Sequence, residues 1–156
     1  MPLEILLVED SPGDVRLTKE ALRGSSIPLQ LHVAFDGVEA MAFLRREGAH
    51  SNAPCPDLIL LDLNLPKMDG REVLTLIKND DRLRTIPTII LTTSEAEADI
   101  VRAYQLQANC YLSKPVQLDV FEVLVRSVCD FWFTKVKLPP HRQMRQDADG
   151  NKNDER

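Results

Sequence analysis

The segment from Leu58 to Gly70 has the sequence LILLDLNLPKMDG and decides the predicted fold of this chain. It begins with four consecutive aliphatic residues and turns polar at Asp62. A short apolar run that ends in polar residues is typical of a strand covered on both faces, as in a parallel sheet. The segment therefore predicts a buried strand followed by a loop that begins with a carboxylate.

Similar runs occur on both sides of this segment and alternate with helical patterns. The predicted strands are 5–8, 31–33, 58–61, 89–91 and 110–112. The predicted helices are 12–22, a second that Asp36 caps and Gly48 ends, a third from near Gly70, 97–106 and 118–133. Five alternations of strand and helix predict an α/β fold, with a parallel sheet and helices on both of its faces.

Composition limits the classes of partner. The chain has 156 residues and a net charge of −5, so it suits one domain and is a poor candidate for binding nucleic acid. No apolar run approaches the roughly 20 residues that span a bilayer, and the first residues do not resemble a signal peptide. The cysteines, Cys55, Cys110 and Cys129, are too few and too scattered for a disulfide framework. We expect a cytoplasmic protein with reduced thiols and without nucleic-acid or membrane partners.

The composition changes after Pro139 and Pro140. Residues 142–156 are almost entirely polar and charged, so we expect a disordered tail there. The predicted organisation is a domain at 1–135, a short extension at 136–141 and the tail. The tail is too short and too polar for a DNA-binding module, so we expect the domain to stand alone and to act through protein contacts.

Charged residues directly follow three of the predicted strands. Glu9 and Asp10 follow the first strand, Asp62 the third and Lys114 the fifth. The carboxyl ends of parallel strands meet at one edge of the sheet, so we expect these side chains to share a cleft. Three carboxylates repel one another unless a hard cation such as Mg²⁺ compensates them. Together with Lys114, such a site can stabilise a phosphoryl group that passes to a carboxylate nucleophile.

Each of these residues also has an ordinary structural interpretation. The acidic pair after the first strand could cap a helix, and Asp62 could be a solvated loop residue. Lys114 could lie on the surface, Thr92 could cap a helix, and Tyr111 could be a core aromatic residue with a hydrated hydroxyl. Their joint occurrence at strand ends favours a single site.

Four motifs resemble the receiver domain of response regulators. They are Val8–Asp10, Leu61–Gly70, Leu91–Ser94 and Tyr111–Pro115, and both their order and their spacing match. The resemblance covers roughly residues 3–133. It implies a flavodoxin-like receiver fold, whose five parallel strands lie in the order 2-1-3-4-5.

The resemblance implies a role for each matching residue. Asp62 corresponds to the phosphoacceptor and to a metal ligand, and Asp10 to a direct Mg²⁺ ligand. Glu9 corresponds to its acidic neighbour, which in the family often acts through water, and Asn64 to the residue whose backbone carbonyl completes the metal site. Lys114 corresponds to the lysine that pairs with the phosphoryl oxygens.

The resemblance also implies a switch. Thr92 corresponds to the switch hydroxyl and Tyr111 to the switch aromatic residue. After phosphorylation Thr92 would bond a phosphoryl oxygen, the loop after the fourth strand would move inward, and Tyr111 would turn into the vacated space. The bond between Lys114 and Pro115 is usually cis in the family, and we expect the same here.

The implied partners follow from this chemistry. The phosphoryl donor would be a phosphohistidine of a sensor histidine kinase, and the output a phosphotransfer or effector protein. The loop at 50–56, the segment Asp130–Phe133 and the extension Lys137–Pro140 resemble the small response regulators that are paired with cyanobacterial phytochrome kinases. A phytochrome is therefore a candidate kinase.

The last helix predicts a homodimer through the face formed by the fourth helix, the fifth strand and the fifth helix. We expect five of its residues to face the sheet: Leu118, Phe121, Val125, Val128 and Trp132. Val120, Leu124 and Phe131 lie toward one edge of the apolar arc and Phe133 outside it, so these four are the candidate dimer residues. The alternative is that residues 134–140 fold back over them.

Three other classes remain open at this point. A haloacid-dehalogenase phosphatase also uses a strand-end aspartate and Mg²⁺, but it normally has a second aspartate where this chain has Asn64. A flavin-binding module needs a phosphate loop after the first strand, where Glu9 and Asp10 would repel a phosphate. A receiver-like scaffold that is never phosphorylated would not need the complete site.

Overall fold

The computed structural model describes residues 2–140. The tail predicted for 142–156 lies outside the described residues, and the domain boundaries stay predictions. Strands and helices alternate as β1 Leu3–Val8, α1 Pro12–Arg23, β2 Leu29–Ala34, α2 Gly37–Arg45, β3 Leu58–Leu61, α3 Gly70–Lys78, β4 Thr88–Thr92, α4 Glu97–Gln105, β5 Cys110–Ser113 and α5 Leu118–Thr134. A 3₁₀ turn, Gly48–His50, lies between α2 and β3.

The five strands form one parallel sheet in the order β2-β1-β3-β4-β5. The predicted fold and strand order are therefore confirmed. The chain leaves β1 toward β2 on one side and later returns to β3 on the other, so the strand order reverses between β1 and β3. At this point Leu61 pairs with Val8, and the residues that follow the two strands, Glu9 and Asp62, come out side by side.

Each face of the sheet carries its own apolar core because alternate strand residues point to opposite faces. One core contains Leu6, Val8, Ile59, Leu61 and Ile90 and packs against α2 and α3. The other contains Ile5, Leu7, Leu58, Leu60 and Ile89 and packs against α1 and α5. The continuous apolar runs are explained by this double coverage.

The end of α2 differs from the prediction. Arg46 takes the left-handed conformation with φ 59°, and its N–H bonds the carbonyls of Ala42 and Phe43. Gly48, which we expected to end the helix, instead begins the 3₁₀ turn with φ 57°. Helices commonly end on one left-handed residue, and Arg46 takes that position two residues before the glycine.

The buried face of α5 also differs in part. Phe121 and Val125 are buried as predicted, and Cys129 continues the same row four residues later. Leu118 is 65% exposed, so its predicted burial is wrong. A helical side chain leans over the turn that precedes it, and Leu118 begins α5 with no preceding turn.

Among the residues that the structure describes, no helix is both long enough and apolar enough to cross a membrane.

Candidate functional site

The ammonium group of Lys114 lies at the centre of a carboxylate cluster beyond the ends of β1, β3 and β5. Its Nζ is 3.0 Å from Asp62 Oδ2 and 2.9 Å from Asp14 Oδ2, and it also donates to Glu9 Oε2. The lysine is held at the sheet because its backbone N–H bonds the carbonyl of Thr92 over 2.7 Å. Only 5% of its side chain is exposed, so these contacts replace most of its hydration.

Asp62 is 7% exposed, and both of its carboxylate oxygens are bound by donors. Oδ1 accepts from Thr92 Oγ1 at 2.8 Å and from the backbone N–H of Asn64 at 3.1 Å, while Oδ2 faces Lys114. Three donors from three different segments fix the carboxylate in one orientation. Such an arrangement holds a nucleophile in place for reaction.

The same cluster fits a hard divalent cation. Carboxylate oxygens of Glu9, Asp10 and Asp62 lie within 4.8 Å of one another. Asp10 is exposed whereas the other two are buried, so the cluster is open to solvent on one side. An all-oxygen set that is partly open is the donor chemistry that Mg²⁺ and Mn²⁺ prefer. The backbone N–H of Asn64 bonds Asp62, and the role of the Asn64 carbonyl stays a prediction.

The site carries more negative than positive charge. Burial raises the pKa of Glu9 to about 7, although the hydrogen bond from Lys114 opposes this shift. Burial by itself would lower the pKa of Lys114, but hydrogen bonds to Glu9 and Asp14 and the charge of Asp62 outweigh it and raise the pKa. The lysine therefore stays protonated, whereas Glu9 takes up a proton more readily than an ordinary glutamate does.

Asp14 belongs to the cluster although it was not predicted from the sequence. It lies in the first turn of α1, where its backbone N–H bonds the capping Ser11 Oγ over 3.3 Å and its carboxylate reaches Lys114. A signal was present, since Asp14 is an acidic residue in the first turn of the helix that directly follows the strand end carrying Glu9 and Asp10. Alone, it had the same ordinary interpretation as any acidic residue in a first helical turn.

The two predicted switch residues meet the loop between β4 and α4. Thr92 is the buried last residue of β4, and Tyr111 lies half-buried in β5. The Tyr111 hydroxyl donates to the backbone carbonyl of Ser94 over 3.0 Å, and burial raises the pKa of this phenol. The loop is therefore in contact with both residues.

The expectation of a cis peptide bond between Lys114 and Pro115 is wrong. No peptide bond between residues 2 and 140 is cis, so Lys114 and Pro115 are joined in trans.

The four candidate dimer residues fall into two groups. Val120 and Phe131 are 42% and 55% exposed. Leu124 and Phe133 are partly buried because they pack against the core that α5 shares with α1. The contact of Phe133 with this core was not expected from the sequence, which placed this residue outside the apolar arc.

The chain matches known proteins over most of its length. A family model described as the response regulator receiver domain matches residues 5–126. Response regulator Rcp1 of Synechocystis is 49% identical over 138 residues, which cover 88% of this chain and 94% of that protein.

Two crystal structures of relatives superpose closely. Phosphorylated RcpA, a cyanobacterial phytochrome response regulator, gives a TM-score of 0.87 at 48% identity and covers 89% of this chain and 99% of its own. The Mn²⁺-bound form of Rcp1 gives 0.85 at 49% identity and covers 88% and 99%. These matches decide for a receiver over the phosphatase and flavin-binding alternatives. The chain therefore belongs to the response regulator receiver family, the phosphoryl-accepting domains of two-component signalling.

Proposed function

We propose that this receiver takes a phosphoryl group from a phosphohistidine of a sensor histidine kinase onto Asp62 and then changes its protein contacts. The observation that carries the proposal is the fixed Asp62 carboxylate, which lies 3.0 Å from the Lys114 ammonium and within the cluster that also contains Glu9 and Asp10. A carboxylate with a neighbouring cation and an oxygen-ligand set has what phosphoryl transfer needs.

The transfer exchanges one bond to phosphorus for another. A carboxylate oxygen of Asp62 attacks the phosphorus, the bond between phosphorus and the imidazole nitrogen breaks, and its electron pair stays on that nitrogen, which takes up a proton. Lys114 lies where it can pair with the oxygens of the transferred group, because its Nζ already contacts Asp62 Oδ2. Thr92 contacts the other oxygen of the same carboxylate. The chain thus promotes its own phosphorylation and, with water as acceptor, slow dephosphorylation.

The cation of this site is proposed to be Mg²⁺. The carboxylates of Glu9, Asp10 and Asp62 would hold it together with the carbonyl of Asn64, in line with the Mn²⁺ that the crystal structure of Rcp1 contains. When bound, it supplies positive charge against the negative charge of the phosphoryl oxygens. The excess of carboxylates over the single Lys114 ammonium supports this assignment.

A phytochrome is the proposed sensor kinase because the solved relatives include cyanobacterial and bacterial phytochrome response regulators. The protein is proposed to act in the cytoplasm on a phosphotransfer or effector protein. Its net charge of −5 argues against nucleic acid as its target.

Phosphorylation is proposed to act through Thr92 and Tyr111. Thr92 would transfer its hydrogen bond from Asp62 to a phosphoryl oxygen, and the loop that follows β4 would close over it. Closure of the loop would then favour the hydrogen bond from the Tyr111 hydroxyl to the Ser94 carbonyl. This structure already contains that bond. The change is a shift between two conformations that a local charge biases.

A homodimer through α4, β5 and α5 is proposed as the form in which this change is transmitted. The exposed apolar residues Val101 and Tyr104 of α4 and Val120 and Phe131 of α5 support it. Sedimentation of wild type, Phe131→Glu and the control Val123→Glu tests it, since Val123 is also exposed but lies about 80° away around α5. A monomeric wild type, with and without phosphodonor, would contradict the dimer.

The phosphorylation site is tested with acetyl phosphate and Mg²⁺. One acid-stable, base-labile phosphoryl group should appear on wild type and on the control Asp81→Asn, whose carboxylate is exposed and remote from the site. Asp62→Asn and excess chelator should each remove it. Equal labelling of Asp62→Asn and wild type would disprove the assignment, and undiminished labelling with chelator would disprove the metal role.

A further inference from the structure

A chain of polar contacts outside the phosphorylation site ties the loop between β4 and α4 to α3. Arg71, in the first turn of α3, donates from Nη2 to Asp99 Oδ1 over 2.7 Å. The other oxygen of Asp99, in the first turn of α4, accepts from Ser94 Oγ at 2.6 Å. Arg71 has a second acidic partner, because its Nη1 is 3.2 Å from Oδ2 of Asp69, the capping residue of α3.

Ser94 is the point at which this chain reaches the switch. Its hydroxyl donates to Asp99 and accepts from the backbone N–H of Ala96 over 3.3 Å, while its carbonyl accepts the Tyr111 hydroxyl. The hydroxyl and the carbonyl belong to one residue, so fixing the first restricts the position of the second. The Asp99 carboxylate therefore helps to hold the Ser94 carbonyl where the Tyr111 hydroxyl can bond it.

Arg71 and Asp99 both stay charged in this environment. Hydrogen bonds from Ser94 and then Arg71 lower the pKa of Asp99, and the bond to Asp99 raises the pKa of Arg71. Both side chains are about 30% exposed, so the ion pair by itself adds little to the stability of the fold. A small energy is nevertheless enough to change the populations of two conformations that are close in free energy.

We propose that Arg71 and Asp99 are positioning residues of the switch, which bias the β4–α4 loop toward the conformation where the Ser94 carbonyl meets Tyr111. This inference rests on the proposed function of Thr92 and Tyr111. It adds the residues that set the populations of the two loop conformations before phosphorylation. Arg71 acts through Asp99, and neither of them needs to touch the phosphoryl group. Loss of either charge should release the loop, so that a larger share of molecules has Tyr111 turned away before phosphorylation.

Nuclear magnetic resonance of the tyrosine hydroxyl carbons tests this directly. The chain has two tyrosines, so protein labelled with ¹³C at Cζ gives two signals, which Tyr111→Phe assigns. The unphosphorylated wild type is compared with Arg71→Gln, Asp99→Asn, the double variant and Arg71→Lys. The matched control is Arg84→Gln with Asp81→Asn, which removes an exposed ion pair in the loop before β4.

The Tyr111 signal should move toward that of free tyrosine in Arg71→Gln and Asp99→Asn, and Arg71→Lys should restore it in part. The double variant should be no worse than the stronger single variant, because the two residues act in one chain. Labelling by acetyl phosphate should slow by at least about twofold in the same variants. The control pair should match wild type in both measurements.

A Tyr111 signal that is unchanged in both single variants would overturn the inference, as would effects that simply add in the double variant. The signal is measured without phosphodonor, so this decision does not depend on Asp62. Failure of the proposed function has a different result, in which wild type itself is not labelled or is labelled without movement of Tyr111.

Discussion

The Thr92 hydroxyl donates to Asp62 Oδ1 over 2.8 Å, and this bond joins the ends of β4 and β3 inside the protein. Thr92 is fully buried and Asp62 almost so. The β-branched side chain suits a strand end, and its hydroxyl provides the donor that a buried carboxylate requires. The same bond connects the proposed phosphoacceptor with the loop that follows β4.

Thr92→Val should separate phosphorylation from switching, because valine keeps the shape of threonine but cannot donate. Asp62 retains Lys114 and the Asn64 N–H, so labelling should persist, while the Tyr111 signal should no longer respond to phosphodonor. The free energy of unfolding should fall by about 1–3 kcal/mol because a buried acceptor loses a donor. Thr92→Ser is the control that should still switch, and a normal response of Thr92→Val would contradict the prediction.

Lys114→Met should destabilise the protein in the absence of metal. Glu9 and Asp62 are buried beside this ammonium, and removing one partner of a buried ion pair costs about 3–5 kcal/mol. Mg²⁺ should recover part of the loss, because a cation that binds only the folded state stabilises it. Urea unfolding with and without Mg²⁺ measures both effects. Lys67→Met, which removes an exposed lysine, should stay within about 1 kcal/mol of wild type, and an equal loss in both variants would exclude a special role of Lys114.

Gly70→Ala should disturb the phosphoacceptor through its backbone. An added Cβ would lie 2.2 Å from the carbonyl oxygen of Asp62 and 2.6 Å from Cα of Leu63, so the loop has to shift. We expect a loss of about 1–3 kcal/mol in the free energy of unfolding, together with slower labelling of Asp62.

Gly13→Ala is the matched control for this substitution. A Cβ there would meet only Ser11 Oγ, at 3.8 Å, and alanine favours a helix over glycine by about 0.5–1 kcal/mol. Thermal unfolding and labelling of the two variants provide the comparison. A neutral Gly70→Ala would show that the loop tolerates the added carbon.

Cys129 should be unreactive at neutral pH because burial raises its pKa to about 12. Iodoacetamide should modify Cys129 only when the protein unfolds, which peptide mass spectrometry can follow. The raised pKa also predicts a pH dependence. The stability is unaffected below the unfolded value of 9.0 and falls as pH rises toward the folded value, by at most about 1.4 kcal/mol per pH unit. Cys129→Ala should lack this extra loss between pH 9 and 12, and a loss equal to that of wild type would assign it to other groups.

The strand ends show how far sequence can predict a site. Glu9, Asp10 and Asp62 could be brought together from sequence because parallel strands end at one edge of the sheet, and the structure does bring them together. Asp14 and Lys114, 100 residues apart, meet where the first turn of α1 reaches the residue after β5, and Arg71 and Asp99 meet where the first turns of α3 and α4 approach each other. No periodicity in the sequence specifies such contacts between the ends of separate elements.

The sequence by itself determined the five strands, their double coverage by helices and the acidic strand ends, because each depends on the local order of apolar and polar residues. Only the tertiary structure decided that Leu118 is exposed, that Phe133 packs on the core of α5 and α1, and that Ser94 offers its carbonyl to Tyr111. The reason is physical: local pattern fixes which face of an element is apolar, whereas the packing of one element on another fixes where its ends lie and which side chains meet there.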